Sequence, residues 1–157
     1  MFMHLGRFLS AVLLLLGAWS AQAKEPPVRT DIEDAKVVVD ESGAIVVIHS
    51  PGGIGRGTLR RTGDAWPDRL TVRIDLRGME GFTAQAGDLV AQTFLGSQEP
   101  EVNRIGKDQK RTPVQENAEQ YSPVVKRLGE QKIEVLLPPA LLRGASEVKI
   151  HWVDFYR

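Results

Sequence analysis

The stretch Arg69-Leu-Thr-Val-Arg-Ile-Asp-Leu-Arg77 carries the clearest strand signal in the chain and decides the fold class. Its apolar residues, Leu70, Val72, Ile74 and Leu76, alternate with polar ones. A period of two places the apolar side chains on one face of a β-strand and the charged ones on the other. We therefore predict a strand whose sheet packs one face and exposes the other to water.

Other strand signals lie on both sides of this stretch. Residues 36–39 and 44–48 are apolar and flank turn residues at 40–43, which predicts a hairpin. Because both runs are almost continuously apolar, they indicate strands that are buried on both faces or cross between layers. Further predicted strands cover residues 58–62, 81–85, 88–95, 131–137 and 146–157.

The strand predicted for residues 146–157 changes its apolar face between Trp152 and Val153, which indicates a bulge or a two-sided strand. Before it, residues 138–144 begin with proline and end with glycine, which predicts a one-turn helix. Seven to eight short strands with almost no helical periodicity predict an all-β fold. We expect a single jelly-roll-like β-sandwich over residues 35–157.

Two segments downstream of residue 23 lack a strand signal. Residues 24–34 are polar with two prolines and predict a flexible segment. Residues 96–129 are charged and amide-rich with isolated apolar residues, which predicts a polar loop or a partly disordered insertion. Within that insertion, residues 124–128 fit either a strand or a helical turn.

The N-terminus has the features of a secretory signal peptide, predicted to cover residues 1–23. Arg7 precedes an apolar run at 8–19, and Ala21-Gln22-Ala23 fits a signal-peptidase site. The apolar run is shorter than the roughly 20 residues that a membrane-spanning helix needs. We therefore expect a periplasmic or secreted protein, and the absence of cysteine excludes a lipid tether that would hold the cleaved chain at a membrane.

Composition narrows the classes of function. The chain of 157 residues contains no cysteine, which excludes thiol nucleophiles, redox pairs and thiolate metal sites. Removal of residues 1–23 leaves 19 basic and 20 acidic residues, a net charge of −1. A domain so close to neutral has no electrostatic basis for binding nucleic acid.

Candidate catalytic and cofactor motifs are weak. The glycines of residues 50–57 match no phosphate-binding spacing and precede a predicted strand, so we expect a flexible turn or a bulged edge there. His49 and His151 could share a metal with Asp75 or Asp154, but their spacing does not support it. No serine lies in a nucleophile turn. We predict no metal, no cofactor and no catalytic residue.

The most plausible ligand face follows the exposed side of the first strand. It combines an aromatic side chain with a stripe of charged ones: Trp66, Arg69, Arg73, Asp75 and Arg77. A tryptophan beside such groups can stack on a sugar ring while its neighbours bind the hydroxyls. The alternative is that Trp66 packs into the core and that the charges are only solvated surface.

Three segments, residues 66–78, residues 50–55 and the terminal Val153-Asp-Phe-Tyr-Arg157, carry a resemblance. Through them the chain resembles small bacterial exported β-domain proteins of unassigned activity that end in a similar DFYR strand. The resemblance spans most of residues 44–95 and 131–157, implies export and a β fold, and transfers no catalytic residue. More loosely, a terminal strand with an aspartate is similar to the closing strand of jelly-roll carbohydrate-binding modules.

These observations favour a non-catalytic exported protein that binds an envelope glycan or a partner protein. One alternative is a small hydrolase or metal-dependent enzyme that uses His49, His151 and nearby aspartates. Another is a structural or assembly factor of the envelope whose segment 96–129 orders on a partner.

Overall fold

The structure is a computed structural model that describes residues 25–49, 53–75, 81–94 and 101–154. The described strands form a seven-stranded and a five-stranded sheet that pack against each other. This confirms the predicted all-β sandwich. The predicted signal peptide at 1–23 and the terminal residues 155–157 lie outside the described residues. No helix in the described part of the chain has the length and apolar character needed to cross a membrane.

Twelve strands make up the two sheets. The seven-stranded sheet has the spatial order β1 (Val28–Thr30), β4 (Gly53–Arg61), β12 (Glu147–Asp154), β6 (Gly81–Ala86), β7 (Leu89–Phe94), β8 (Glu101–Ile105) and β9 (Arg111–Pro113). The five-stranded sheet has the order β10 (Val124–Gly129), β11 (Lys132–Leu137), β5 (Leu70–Asp75), β3 (Gly43–Ile48) and β2 (Ala35–Asp40). Neighbouring strands are antiparallel, except that β3 and β5 run parallel. The helix α1 (Pro139–Leu142) confirms the predicted helical turn.

The five-stranded sheet follows the alternation that its sequence predicts. Leu70, Val72 and Ile74 of β5 are buried against the other sheet, while Arg73 and Asp75 lie on the outer face. The predicted hairpin forms from β2 and β3. Burial on both faces was the wrong interpretation of its apolar runs, because buried residues alternate with half-buried ones along β3 and β2 is an edge strand.

The seven-stranded sheet is packed through glycine. The glycine-rich segment continues directly into β4, whose residues from Gly53 onward pair with β12 without a register shift, so this part is neither the predicted flexible turn nor a bulge. A Cβ on Gly55 would overlap the ring of Trp152, and one on Gly57 would overlap the side chain of Ile32. The two glycines therefore leave room on the inner face for large apolar neighbours.

The closing strand β12 is regular. Val148, Ile150 and Trp152 are buried on its inner face, and its pairing with β4 and β6 shows no register shift. Val153 is half-buried on the opposite face. Of the two predicted alternatives, the structure therefore shows a two-sided strand rather than a bulge.

Two segments without a strand signal also join the sheets. Residues 101–129 contain β8, β9, a 3-10 turn (Ala118–Tyr121) and β10, in place of the predicted polar loop or disordered insertion. The predicted flexible segment contains β1, whose Val28 is fully buried. These strands are short, and β9 and β10 are edge strands with few buried residues, so their sequences carry no apolar period.

Candidate functional site

The structure distributes the predicted ligand residues over two regions. Trp66 lies in the turn between β4 and β5 and lines a cavity with residues from the adjoining ends of β4, β11 and α1. Arg73 and Asp75 lie on the outer face of the five-stranded sheet. Arg69 is exposed just before β5, and Arg77 lies outside the described residues. The predicted stripe and the predicted tryptophan therefore belong to different surfaces.

The charges of the stripe are paired within the sheet. Arg73 donates a hydrogen bond of 3.1 Å to Glu134, its direct cross-strand neighbour on β11. The carboxylate of Asp75 contacts Nδ1 of His49 at 2.8 Å. A side chain already engaged in such a contact must break or share it before it can bind a ligand. This face is consequently less available than its sequence indicates.

Arg69 acts on the hairpin turn beside it. Its backbone carbonyl accepts a hydrogen bond of 3.0 Å from the amide of Ala44. The pKa of Asp40, in the same turn, lies below its ordinary value of 3.8, chiefly because the hydroxyl and amide of Ser42 donate to its carboxylate, with the charge of Arg69 contributing less. Arg69 therefore contributes to the hairpin turn, and this structural role is one that the sequence pattern does not show.

We call the cavity at the end of the sandwich the Trp66 pocket. It has a volume of about 350 Å³, and the residues that line it include Arg61, Asp64, Trp66, Asp68, Leu142 and Arg143. The indole N–H of Trp66 donates a hydrogen bond of 2.7 Å to the carbonyl of Ala145, which fixes the orientation of the ring. Trp66 is half-buried and packs against the core, so the ring combines a fixed position with an accessible surface.

Charged groups surround the apolar ring. Asp64, Asp68 and Arg143 are exposed at the rim, while Leu142 is buried and forms an apolar wall. The guanidinium of Arg61 donates a hydrogen bond to the carbonyl of Asp64, which closes the turn on one side. The pocket therefore presents an aromatic surface together with cationic hydrogen-bond donors and anionic hydrogen-bond acceptors.

Local sequence explains how these parts meet. Pro67 follows Trp66 and restricts the backbone of the turn before β5. On the other side, Pro139 starts α1, and Gly144 adopts the left-handed backbone conformation (φ 79°) that ends it. Trp66 was identified from its sequence, but Arg143 was not, because only the chain reversal after α1 brings it to the pocket.

The histidines do not form a shared site. His49 follows β3 of the five-stranded sheet and pairs with Asp75, whereas His151 lies on β12 of the other sheet, opposite Arg56. Among the described residues no group of three or more potential ligands could hold a metal ion.

The Trp66 pocket is thus a preformed concave site in which a fixed aromatic ring lies among charged side chains. Its ring is held by a backbone contact and its charged groups lie at the rim. Comparison with family models, curated proteins and solved structures found no match for this chain. The function of the site must therefore be argued from its own residues.

Proposed function

We propose that this is an exported, non-catalytic protein that binds a saccharide of the cell envelope in the Trp66 pocket. The observation that carries the proposal is the indole of Trp66, fixed by its 2.7 Å hydrogen bond to Ala145 and lining a cavity of about 350 Å³. Aromatic rings of this kind stack on the apolar face of a sugar. Fixing the ring before binding removes part of the entropy cost of ordering it.

The charged rim supplies the polar half of the recognition. Sugar hydroxyls both donate and accept hydrogen bonds, and the pocket offers carboxylates at Asp64 and Asp68 and a guanidinium at Arg143. All three side chains are exposed, so a ligand can reach them without breaking a buried contact. Charge-assisted hydrogen bonds from such groups are stronger than neutral ones and give the site directionality.

Export is the second part of the proposal. Support for it comes from the signal-like residues 1–23, with Arg7, the apolar run and the Ala21-Gln22-Ala23 pattern. An exported protein meets the glycans of the envelope, and a periplasmic or secreted location fits a saccharide ligand. A partner protein docking at the same pocket would use Trp66 in the same way, so the test compares saccharides with envelope proteins.

The experiment is a binding screen of the purified protein against envelope oligosaccharides and envelope proteins, read by calorimetry. We expect a saccharide to bind and Trp66→Ala to weaken it about 10- to 30-fold, as expected for a tryptophan at the centre of a binding site. Arg143→Ala, at an exposed position, should weaken binding about three- to tenfold without affecting folding.

Arg60→Ala is the matched control for Arg143→Ala, because Arg60 is also exposed but pairs with Glu147 away from the pocket. It should leave the affinity unchanged. Trp66→Phe keeps an aromatic ring without the indole N–H, and should bind more tightly than Trp66→Ala. The proposal is overturned if no saccharide binds, if only a protein binds, or if folded Trp66→Ala and Trp66→Phe bind as the native chain does.

A further inference from the structure

The outer face of the seven-stranded sheet carries a second concave surface, which we call the cationic groove. It has a volume of about 420 Å³ and is formed by Arg56, Thr58, Thr83, Gln85, Lys149 and His151. The register sets the arrangement: Arg56 lies opposite His151, and Thr58 lies opposite Lys149, on β4 and β12. The next strand places Thr83 beside His151 and Gln85 beside Lys149.

These side chains share one face because of the strand period. Leu59, Val148 and Ile150 are buried on the inner face, so the residues between them on β4 and β12 point outward. Directly opposed side chains on adjacent antiparallel strands lie about 5 Å apart at Cβ. Arg56 is directly opposed to His151, and Lys149 lies at the diagonal position, roughly 7–8 Å away and within reach of a long side chain, so the three form one cluster.

The cluster is not neutralised by the protein. No described carboxylate forms an ion pair with Arg56 or Lys149, whereas Arg60, two outward positions beyond Arg56 along β4, pairs with Glu147 of β12 at 3.1 Å. Asp31 also lines the groove and accepts a hydrogen bond of 2.7 Å from the backbone amide of Thr58, so its one carboxylate stands against the two cations Arg56 and Lys149. The groove keeps a net positive charge even when His151 is neutral.

Clustering like charges costs stability, so the arrangement needs a compensating partner. Arg56 and Lys149, at diagonal positions on adjacent strands, repel each other, and this sheet shows with Arg60 opposite Glu147 that it can place opposite charges across the same two strands. Neutral hydrogen-bonding groups, Thr83 and Gln85, extend the groove beside the cations. Cations together with neutral amides and hydroxyls fit an anionic chain that also carries hydroxyl groups.

We infer that the cationic groove binds an acidic polysaccharide, through carboxylate, sulfate or phosphate groups held by Arg56 and Lys149. A lipid surface is the less fitting partner, because the groove is concave and its side chains next to the cations are polar. The inference does not depend on the Trp66 pocket, because the two sites have no lining residue in common.

The test measures binding of the purified protein to polygalacturonate and dextran sulfate, with uncharged dextran as the reference. We expect at least one acidic chain to bind at low salt, to be released as salt rises, and to be preferred over dextran at least tenfold. Arg56→Ala and Lys149→Ala should each weaken binding about three- to tenfold, and the double variant Arg56→Glu/Lys149→Glu should abolish it.

The matched control is Arg60→Ala, an exposed arginine on the same strand whose charge is paired; it should change the affinity less than twofold. Arg56→Ala should melt at the native temperature or above it, which separates lost binding from lost folding. Trp66→Ala should keep acidic-chain binding, so failure of the pocket and failure of the groove are distinguishable.

Three results would overturn the inference. The first is equal binding of dextran and the acidic chains. The second is an Arg60→Ala effect as large as that of Arg56→Ala. The third is binding to phosphatidylglycerol vesicles without binding to either acidic polysaccharide, which would assign the groove to a membrane surface instead.

Discussion

The charged side chains on the outer face of β5 and those of the cationic groove are paired differently. On the five-stranded sheet, Arg73 pairs with Glu134 across β5 and β11, and Asp75 pairs with His49. On the seven-stranded sheet, Arg56 and Lys149 stand beside His151 with no described acid paired to them. Satisfied charges stabilise a surface, while unsatisfied ones are available to a ligand. This difference is why we place the proposed acidic ligand on the seven-stranded sheet.

The inner faces differ as well. The five-stranded sheet fills its inner face with β-branched and leucine side chains in strict alternation. The seven-stranded sheet instead places Gly55 beneath Trp152 and Gly57 beneath Ile32. Its packing therefore depends on two positions that carry no side chain. A face packed in this way tolerates added volume poorly, because the interior is already close to crystal density.

The largest expected effect tests that inner-face difference. Gly55→Ala introduces a Cβ that overlaps the buried ring of Trp152, so we expect the free energy of unfolding to fall by about 2–3 kcal/mol. Gly63→Ala is the control, since its Cβ would meet nothing within 4 Å and should change stability by less than about 0.5 kcal/mol. Urea denaturation of both variants measures this; similar losses would show that Gly55 has no special packing role.

This contrast also explains what the sequence could predict. The strand at Leu70–Asp75 was predicted because its period of two lies within one continuous stretch. The role of Gly55 could not be predicted, since it depends on Trp152 from a distant part of the chain. Strands such as β1 and β8 were missed because each buries a single apolar residue, and their pairing is decided by partners remote in sequence.

The candidate sites divide in the same way. Trp66 stands out in the sequence as an aromatic residue before a proline, and the structure places it in a pocket. Its neighbours Arg61 and Arg143 come from separate elements that meet only at the end of the sandwich. The cationic groove depends on the register between β4 and β12, which composition does not reveal.

A smaller effect tests the pairing of outer charges. Glu134→Ala leaves the half-buried guanidinium of Arg73 without its carboxylate, and we expect a loss of about 1–2 kcal/mol in the free energy of unfolding. The matched change Glu147→Ala removes the partner of Arg60, which is much more exposed, and should cost less than about 0.5 kcal/mol. Chemical denaturation of the two variants at the same pH measures both losses in the free energy of unfolding. Equal losses would contradict the view that burial makes the five-stranded pair structural.

The smallest expected effect is a pH dependence at the hairpin of the five-stranded sheet. Hydrogen bonds from Ser42 hold the pKa of Asp40 below its ordinary value of 3.8, so the ionised carboxylate favours the folded state. A lowered folded-state pKa contributes stability above the unfolded pKa and loses it as pH falls through the folded pKa. Asp40→Asn should therefore be slightly less stable than the native chain at neutral pH, and the difference should shrink on acidification below 3.8.

Ser42→Ala should raise the pKa of Asp40 in an NMR titration of its carboxyl carbon. An unchanged pKa in that variant would show that the hydroxyl contact does not favour the ionised form, and the lowered pKa would then rest on the backbone amides of Ser42 and Gly43 that also donate to Asp40.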